Sequence, residues 1–332
     1  MELLAGGLMV GAAISFSFFA VWRRQLLNAK VLNVTSFVFA STAIASAVAF
    51  LGVPLWNGLG GVPFRWRPEI FWFSVIGTVV VNHVIQYANA KASSLAEASL
   101  TAPIQALTPG LVTIAAWLPW VGETPTLQGV AGIALISICN YIHSREDATT
   151  LGEYLRPFTF LLLPANFSLV SEERQRETRK QTSGLRWAYL SAACGTIGLI
   201  FDGLLTRNGN PILGIACKWA LVSAPFAPGG SSELRALLPL KQRHAALLVV
   251  TAGAALGFGE LLTAFAFRFA PIASVGSLKR LTIPLTVLLA WWILSERKAK
   301  RRIWPALGVA FGAALLALDG SIGVLIQQLE SD

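Results

Sequence analysis

Long apolar runs separated by short polar connections organise the whole chain. A helix that crosses a bilayer needs about 20 mostly apolar residues. Ten stretches meet that measure: 3–22, 34–56, 70–90, 95–120, 126–143, 185–206, 210–227, 244–267, 271–294 and 303–325. None has the period-two alternation of a membrane barrel strand. Backbone groups in lipid must find partners within their own segment, so the runs are predicted as helices. The expected fold class is an all-α integral membrane protein with ten transmembrane helices. Trp22, Trp56, Trp72, Trp120, Trp187 and Trp304 fall near the ends of these runs, where an interfacial belt places aromatic residues.

One connection is different. Residues 144–184 are polar and, toward their end, charged (SEERQRETRKQ). They divide the chain into a first five-helix unit, 1–143, a linker, 144–184, and a second five-helix unit, 185–328. The apolar patch FTFLLLPANF within the linker is too short to span and is interrupted by Pro164; it is expected to rest on the membrane surface.

Composition agrees with this pattern. The 332 residues are 55% hydrophobic and 13% charged, with a mean hydropathy of +0.62, whereas about 25% charged is usual for soluble domains. The net charge of +9 reads as orientation rather than nucleic-acid binding. Nineteen of the 26 Lys and Arg fall on one side: Arg23, Arg24 and Lys30; Lys91; seven from Arg145 to Arg186; Arg235, Lys241 and Arg243; and five from Arg297 to Arg302. The other side receives Arg65, Arg67, Arg207 and Arg268. The positive-inside rule then puts residues 144–184 in the cytoplasm and both termini outside. Cys139, Cys194 and Cys217 are isolated in apolar surroundings and are expected as small core residues. No spacing suggests a metal site or cofactor, and no enzyme motif is present.

The two halves end alike. LTPGLVTIAAWLPWVGETPTLQGVAGIAL (107–135) and LTIPLTVLLAWWILSERKAKRRIWPALGVAFGAAL (281–315) share an order: Leu-Thr, a proline, an apolar run with Trp, a Glu, a polar turn and a small-residue helix. Five spans per half give the halves opposite orientations. An inverted repeat is a signature of secondary transporters, whose substrate site lies near the midplane between the repeats. The run GVAFGAALLA (308–317) is expected to pack closely against another helix.

Lys218, Lys279 and Arg280 remain, inside expected spans. A cation at a helix centre costs roughly 2.5–3.5 kcal/mol on the insertion scale, so an adjacent pair needs a reason. Glu260 and Lys279 flank the expected turn at 268–271 at equal distance, about 14 Å deep. Asp202 and Lys218 flank the turn near 208–210 in the same way. Five ionisable groups thus occupy one layer. Two readings follow. In one, Glu260 neutralises Lys279 or Arg280 as an internal ion pair. In the other, Arg280 and Lys279 bind an anionic group, Arg with two parallel hydrogen bonds and Lys as a point charge. Glu260 then positions them or exchanges a proton, and Asp202 is the second candidate for proton coupling. The first half offers neutral groups: Asn82, His83 and Gln86 in the third run and Gln105 in the fourth. Asn82 and Gln86 share a helix face. They either bond between helices or line the cavity beside Lys218. His83 either packs or titrates. Pro103, Pro109 and Pro284 lie within runs and either kink helices for gating or bend them inertly.

The chain resembles the drug/metabolite transporter superfamily, in its ten-helix form with two EamA-type repeats. The resemblance covers nearly the whole chain and is carried best by GETPTLQGVAGIALI (122–136) and GSLKRLTIPLTVLLAWWILSERK (276–298). It implies secondary transport of a small metabolite through a central cavity by alternating access, coupled to a proton or a counter-substrate. It also implies a multi-pass protein of a bacterial inner membrane. The family includes exporters of amino acids and drugs and exchangers of sugar phosphates and nucleotide sugars. SVGSLKR (274–280) is similar to the phosphate-binding Lys-Arg pair of plastid phosphate translocators, which carries over to Lys279 and Arg280. The long linker departs from the family's compact pattern.

Overall fold

A computed structural model describes residues 2–28, 32–58, 66–95, 104, 107–116, 126–144, 150–155, 172–236, 243–294 and 303–318. Gln105, Pro103 and the patch FTFLLLPANF lie outside the described residues. Among those described there is no strand. The helices are α1 (Glu2–Asn28), α2 (Val34–Gly58), α3 (Pro68–Leu95), α4 (Thr108–Ala116), α5 (Leu127–Ser144), α6 (Glu172–Arg207), α7 (Pro211–Ser223), α8 (Ala227–Ala236), α9 (Arg243–Phe269), α10 (Ile272–Leu278), α11 (Thr282–Leu294) and α12 (Ile303–Ala317). Among the described residues six segments are long and apolar enough to cross a membrane: Leu3–Arg23, Val34–Val53, Pro68–Asn89, Arg179–Arg207, Pro211–Ser231 and Arg243–Phe269. Large apolar side chains such as Phe73, Ile114, Phe258, Trp292 and Phe311 face outward, which is compatible with a lipid-facing surface.

Helix α6 starts well before the expected span at 185. The stretch EERQRETRKQ is rich in Glu, Arg, Gln and Lys, all strong helix formers, so the helix runs on through the polar end of the linker. Near the linker's other end Thr150 and Glu153 form a reciprocal capping box: the Thr150 amide donates to Glu153 Oε2 at 3.2 Å and the Glu153 amide to Thr150 Oγ1 at 3.3 Å. The Tyr141 hydroxyl donates to the Tyr154 carbonyl and ties that turn to α5.

Two expected spans are broken by a 3-10 turn. One is Ala224–Phe226, between α7 and α8, which contains Pro225. The other is Lys279–Leu281, between α10 and α11. Pro284 explains the second. An α-helix would have its amide donate to the Arg280 carbonyl, and proline has no amide hydrogen. The Thr282 amide donates to that carbonyl instead, within the tighter turn, and Thr282 Oγ1 donates to the Lys279 carbonyl at 2.7 Å.

Packing follows small residues. α1 lies against α9 and α11, α2 against α7 and α9, α3 against α6 and α7, α4 against α6 and α10, and α5 against α12. Helix α10 is buried along its whole length at the centre. The α5–α12 crossing is set by two glycines: a Cβ on Gly132 would lie 2.9 Å from the Gly312 carbonyl oxygen, and one on Gly312 would lie 2.9 Å from that of Gly132. At such a backbone contact nothing can rotate away. Gly312→Leu is expected to lower stability by about 1–3 kcal/mol, the usual cost of overpacking. A depressed Tm of the purified protein, against an unchanged Tm for Ala substitution at outward-facing Phe311, checks it.

Candidate functional site

The α6–α7 turn is tight. Asn210 caps α7, its side chain accepting from the amides of Ile212 at 2.9 Å and Leu213 at 3.2 Å, and Pro211 takes the first helical position, which needs no amide. This hairpin brings Asp202 of α6 and Lys218 of α7 to one depth. At the α9–α10 turn Arg207 donates to the carbonyls of Phe267 at 3.2 Å and Ala270 at 3.1 Å, fixing the end of α9. That second hairpin levels Glu260 with Lys279.

Four of the five charges join in one chain. Lys218 Nζ donates to Asp202 Oδ2 at 2.8 Å and to Glu260 Oε2 at 2.9 Å. Lys279 Nζ donates to Glu260 Oε1 at 2.8 Å. Thr78 Oγ1, from α3, donates to Asp202 Oδ1 at 2.8 Å. Each of the four carboxylate oxygens therefore has a donor, and the two ammonium groups cancel the two carboxylates. Side-chain exposure is 2% for Lys218, 5% for Glu260, 9% for Asp202 and 26% for Lys279. Charges so buried persist only when paired and bonded. The ring of Phe16 adds to the balance, with Lys279 Nζ 4.6 Å from its centroid.

Arg280 stands apart. It follows Lys279 in the 3-10 turn, where successive side chains diverge by about 120°. Lys279 turns to Glu260, while Arg280 lines a cavity of about 360 Å³ and forms no salt bridge among the described residues. The walls also include Asp202, Lys218, Glu260, Lys279, Asn82 and Trp219. The volume is at the lower end of the about 300–1,000 Å³ of small-molecule sites. No group of three or more His, Cys, Asp or Glu among the described residues could hold a metal ion.

Neither a family model nor a curated protein matches the sequence. The fold is known. The chain is similar to a protein of known crystal structure, with a TM-score of 0.60 over 97% of this chain and 99% of that one, at 15% identity. At that identity the likeness shows the fold alone.

The expected site residues divide accordingly. Asn82 lines the cavity and donates to the Thr78 carbonyl at 2.8 Å and to Thr78 Oγ1 at 3.2 Å. His83 and Gln86 do not line it. His83 stacks on Phe226, 5.9 Å between centroids, with Nδ1 2.8 Å from the Val79 carbonyl oxygen; one residue beyond Asn82, it projects about 100° away around the helix. Gln86 is half-buried. Thr78, Phe16, Trp219 and Arg23 were not anticipated. Thr78 is four residues before Asn82, and that spacing was its one sequence signal.

Removing one member should unbalance the rest. Lys218→Met is expected to cost about 3–5 kcal/mol, the penalty of leaving a buried partner uncompensated. Adding Asp202→Asn should recover part of that loss, because Glu260 and Lys279 still cancel. Unfolding midpoints of the two single variants and the double variant test it; additive losses would show that the charges do not act as one network.

Proposed function

We propose that this chain is a secondary-active transporter of small anionic metabolites, working by alternating access, with Arg280 binding the anionic group. The observation that carries the reading is the state of Arg280: a guanidinium on a cavity inside an apolar bundle, with no carboxylate partner among the described residues. A cation at such depth calls for an anion. Lys279 shapes that end of the cavity while bound to Glu260.

The reading includes ten transmembrane helices in two inverted repeats of the EamA type in the drug/metabolite transporter superfamily. Packing supports the repeat. Exchange α1 with α6, α2 with α7, α3 with α9, α4 with α10–α11, and α5 with α12. The α1–α9 contact then becomes α6–α3, α2–α9 becomes α7–α3, and α1–α11 becomes α6–α4, all of which occur. The contacts α2–α7, α4–α10 and α5–α12 map onto themselves. The orientation we propose, from the distribution of basic residues, has both termini outside and residues 144–184 cytoplasmic, in a bacterial inner membrane. An enzyme is disfavoured because the carboxylates on the cavity wall are held by Lys218, Lys279 and Thr78.

A second reading is a proton-coupled exporter of amino acids or amphipathic cations, using Glu260 or Asp202. Both carboxylates line the cavity, which favours it; all four of their oxygens already accept bonds, which weighs against it.

Thermal stabilisation of the purified protein by a panel of carboxylates, phosphate esters, amino acids and quaternary amines separates the two. Anions are expected to raise Tm, and Arg280→Ala to weaken their binding at least about tenfold, as expected for a charge-assisted hydrogen bond. Stabilisation by amines that survives Arg280→Ala would establish the exporter reading instead.

A further inference from the structure

The cavity offers more than Arg280. Helix α1 lines it with Phe16, Phe19, Ala20 and Arg23, the spacing of one helix face. From Phe16 to Arg23 that face climbs about 10 Å. Lys279 sits over the Phe16 ring at 4.6 Å, at one end. The Arg23 guanidinium sits over the Phe19 ring at 5.6 Å, at the other. Between them Ala20 presents only a methyl group. Arg23 is exposed at the end of the Leu3–Arg23 span and, among the described residues, forms no salt bridge.

Trp219 supplies an independent sign of a ligand. It lines the same cavity and is 5% exposed, and its indole Nε1 has no hydrogen-bond partner among the described residues. A buried donor left unpaired is costly unless something comes to accept from it. Two guanidinium groups from different parts of the chain thus line the cavity without an ion-pair partner among the described residues, and Trp219 lines the same cavity. Each carboxylate oxygen of the network already accepts a bond, and its two ammonium groups cancel its two carboxylates, so the network offers an ammonium group no excess negative charge.

Building on the transport reading, we infer that the ligand is an elongated dianion with a negative group at each end and no ammonium group. Arg280 takes one end and Arg23 the other, and Trp219 Nε1 donates to an acceptor of the ligand. Arg23 is therefore a binding residue as well as a contributor to the charge at its end of the membrane.

The test uses the full-length protein and probes of graded length: succinate, glutarate, adipate and pimelate, each against the monocarboxylate with the same carbon number. Glutamate serves as the aminated counterpart of glutarate, and glycerol phosphate as a dianion with both charges on one group. Calorimetric Kd values are measured for wild type, Arg23→Gln, Arg23→Lys, Trp219→Phe and Arg280→Ala. One dicarboxylate is expected to bind at least about tenfold more tightly than its monocarboxylate, as an added charge-assisted contact implies. Arg23→Gln should remove that advantage while changing monocarboxylate Kd by no more than about twofold. Arg23→Lys should restore most of it, and Trp219→Phe should weaken all carboxylates by about three- to tenfold.

The inference is overturned if dicarboxylates have no advantage, if the advantage survives Arg23→Gln, or if glutamate or glycerol phosphate binds more tightly than every dicarboxylate. In these cases anion binding lost in Arg280→Ala leaves the transport site standing. If no anion binds, or if binding is indifferent to Arg280→Ala, the site reading falls as well.

Discussion

Everything at the centre of this bundle answers to one requirement: a charge removed from water must be cancelled, and its hydrogen-bonding atoms filled. Lys218 satisfies it for two carboxylates at once, reaching Asp202 and Glu260. Lys279 and Thr78 complete the set. These bonds tie α3, α6, α7, α9 and the 3-10 turn after α10 to one another, and they fix the depth of every group on the cavity wall. An apolar core of the same shape could be as stable or more so. The arrangement therefore defines a particular geometry more than it adds stability, and it does so where the cavity lies.

The broken helix gives two neighbouring cations different partners. In an unbroken α-helix Lys279 and Arg280 would point about 100° apart, and the Arg280 carbonyl would expect an amide from residue 284. Pro284 denies it that amide. The turn tightens, Lys279 falls within reach of Glu260, and Arg280 is left on the cavity. Adjacent residues of like charge thus become one member of the network and one open cation.

Much of this was legible beforehand because membrane helices constrain depth so strongly. Placing Asp202 and Lys218 at equal distances from one turn, and Glu260 and Lys279 from the next, sufficed to bring four charges to one layer. Azimuth was not legible. Counting along a helix tells which residues share a face, as for Thr78 and Asn82, but not which face meets the cavity. Hence His83 stacks on Phe226, and Lys218 bridges both carboxylates. Thr, Phe and Trp are too common in membrane helices to mark Thr78, Phe16 or Trp219 by type. Arg23 carried a sufficient explanation already, as a basic residue at the end of a span, and that explanation hid its place on the cavity. The extension of α6 to Glu172 escaped notice for the opposite reason. Polarity marks a linker, but the same residues favour helix once they leave the membrane.

The bonds between the halves are of a different kind from those within the second half. Ser17 of α1 donates to the Thr282 carbonyl at 3.1 Å, Ser46 of α2 to the Ala216 carbonyl at 2.8 Å, and Thr78 of α3 to Asp202 at 2.8 Å. Each of the first three helices thus reaches across with a hydroxyl, and α3 has a second contact, where Ser191 of α6 donates to Asn89 Oδ1 at 2.8 Å. A polar contact of this sort between membrane helices is worth about 0.6 kcal/mol on average, whereas breaking a buried ion pair by removing one partner costs about 3–5 kcal/mol. Motion that exchanges hydroxyl contacts is consequently far cheaper than motion that opens the network. For the proposed transport cycle this ranks the moving parts. α3, α6, α7, α9 and the 3-10 turn after α10 would travel together as the charged unit. α1 and α2 meet that unit through hydroxyl bonds to carbonyls, and Arg280 and Arg23, belonging one to each side, are the groups whose separation a bound ligand would hold fixed.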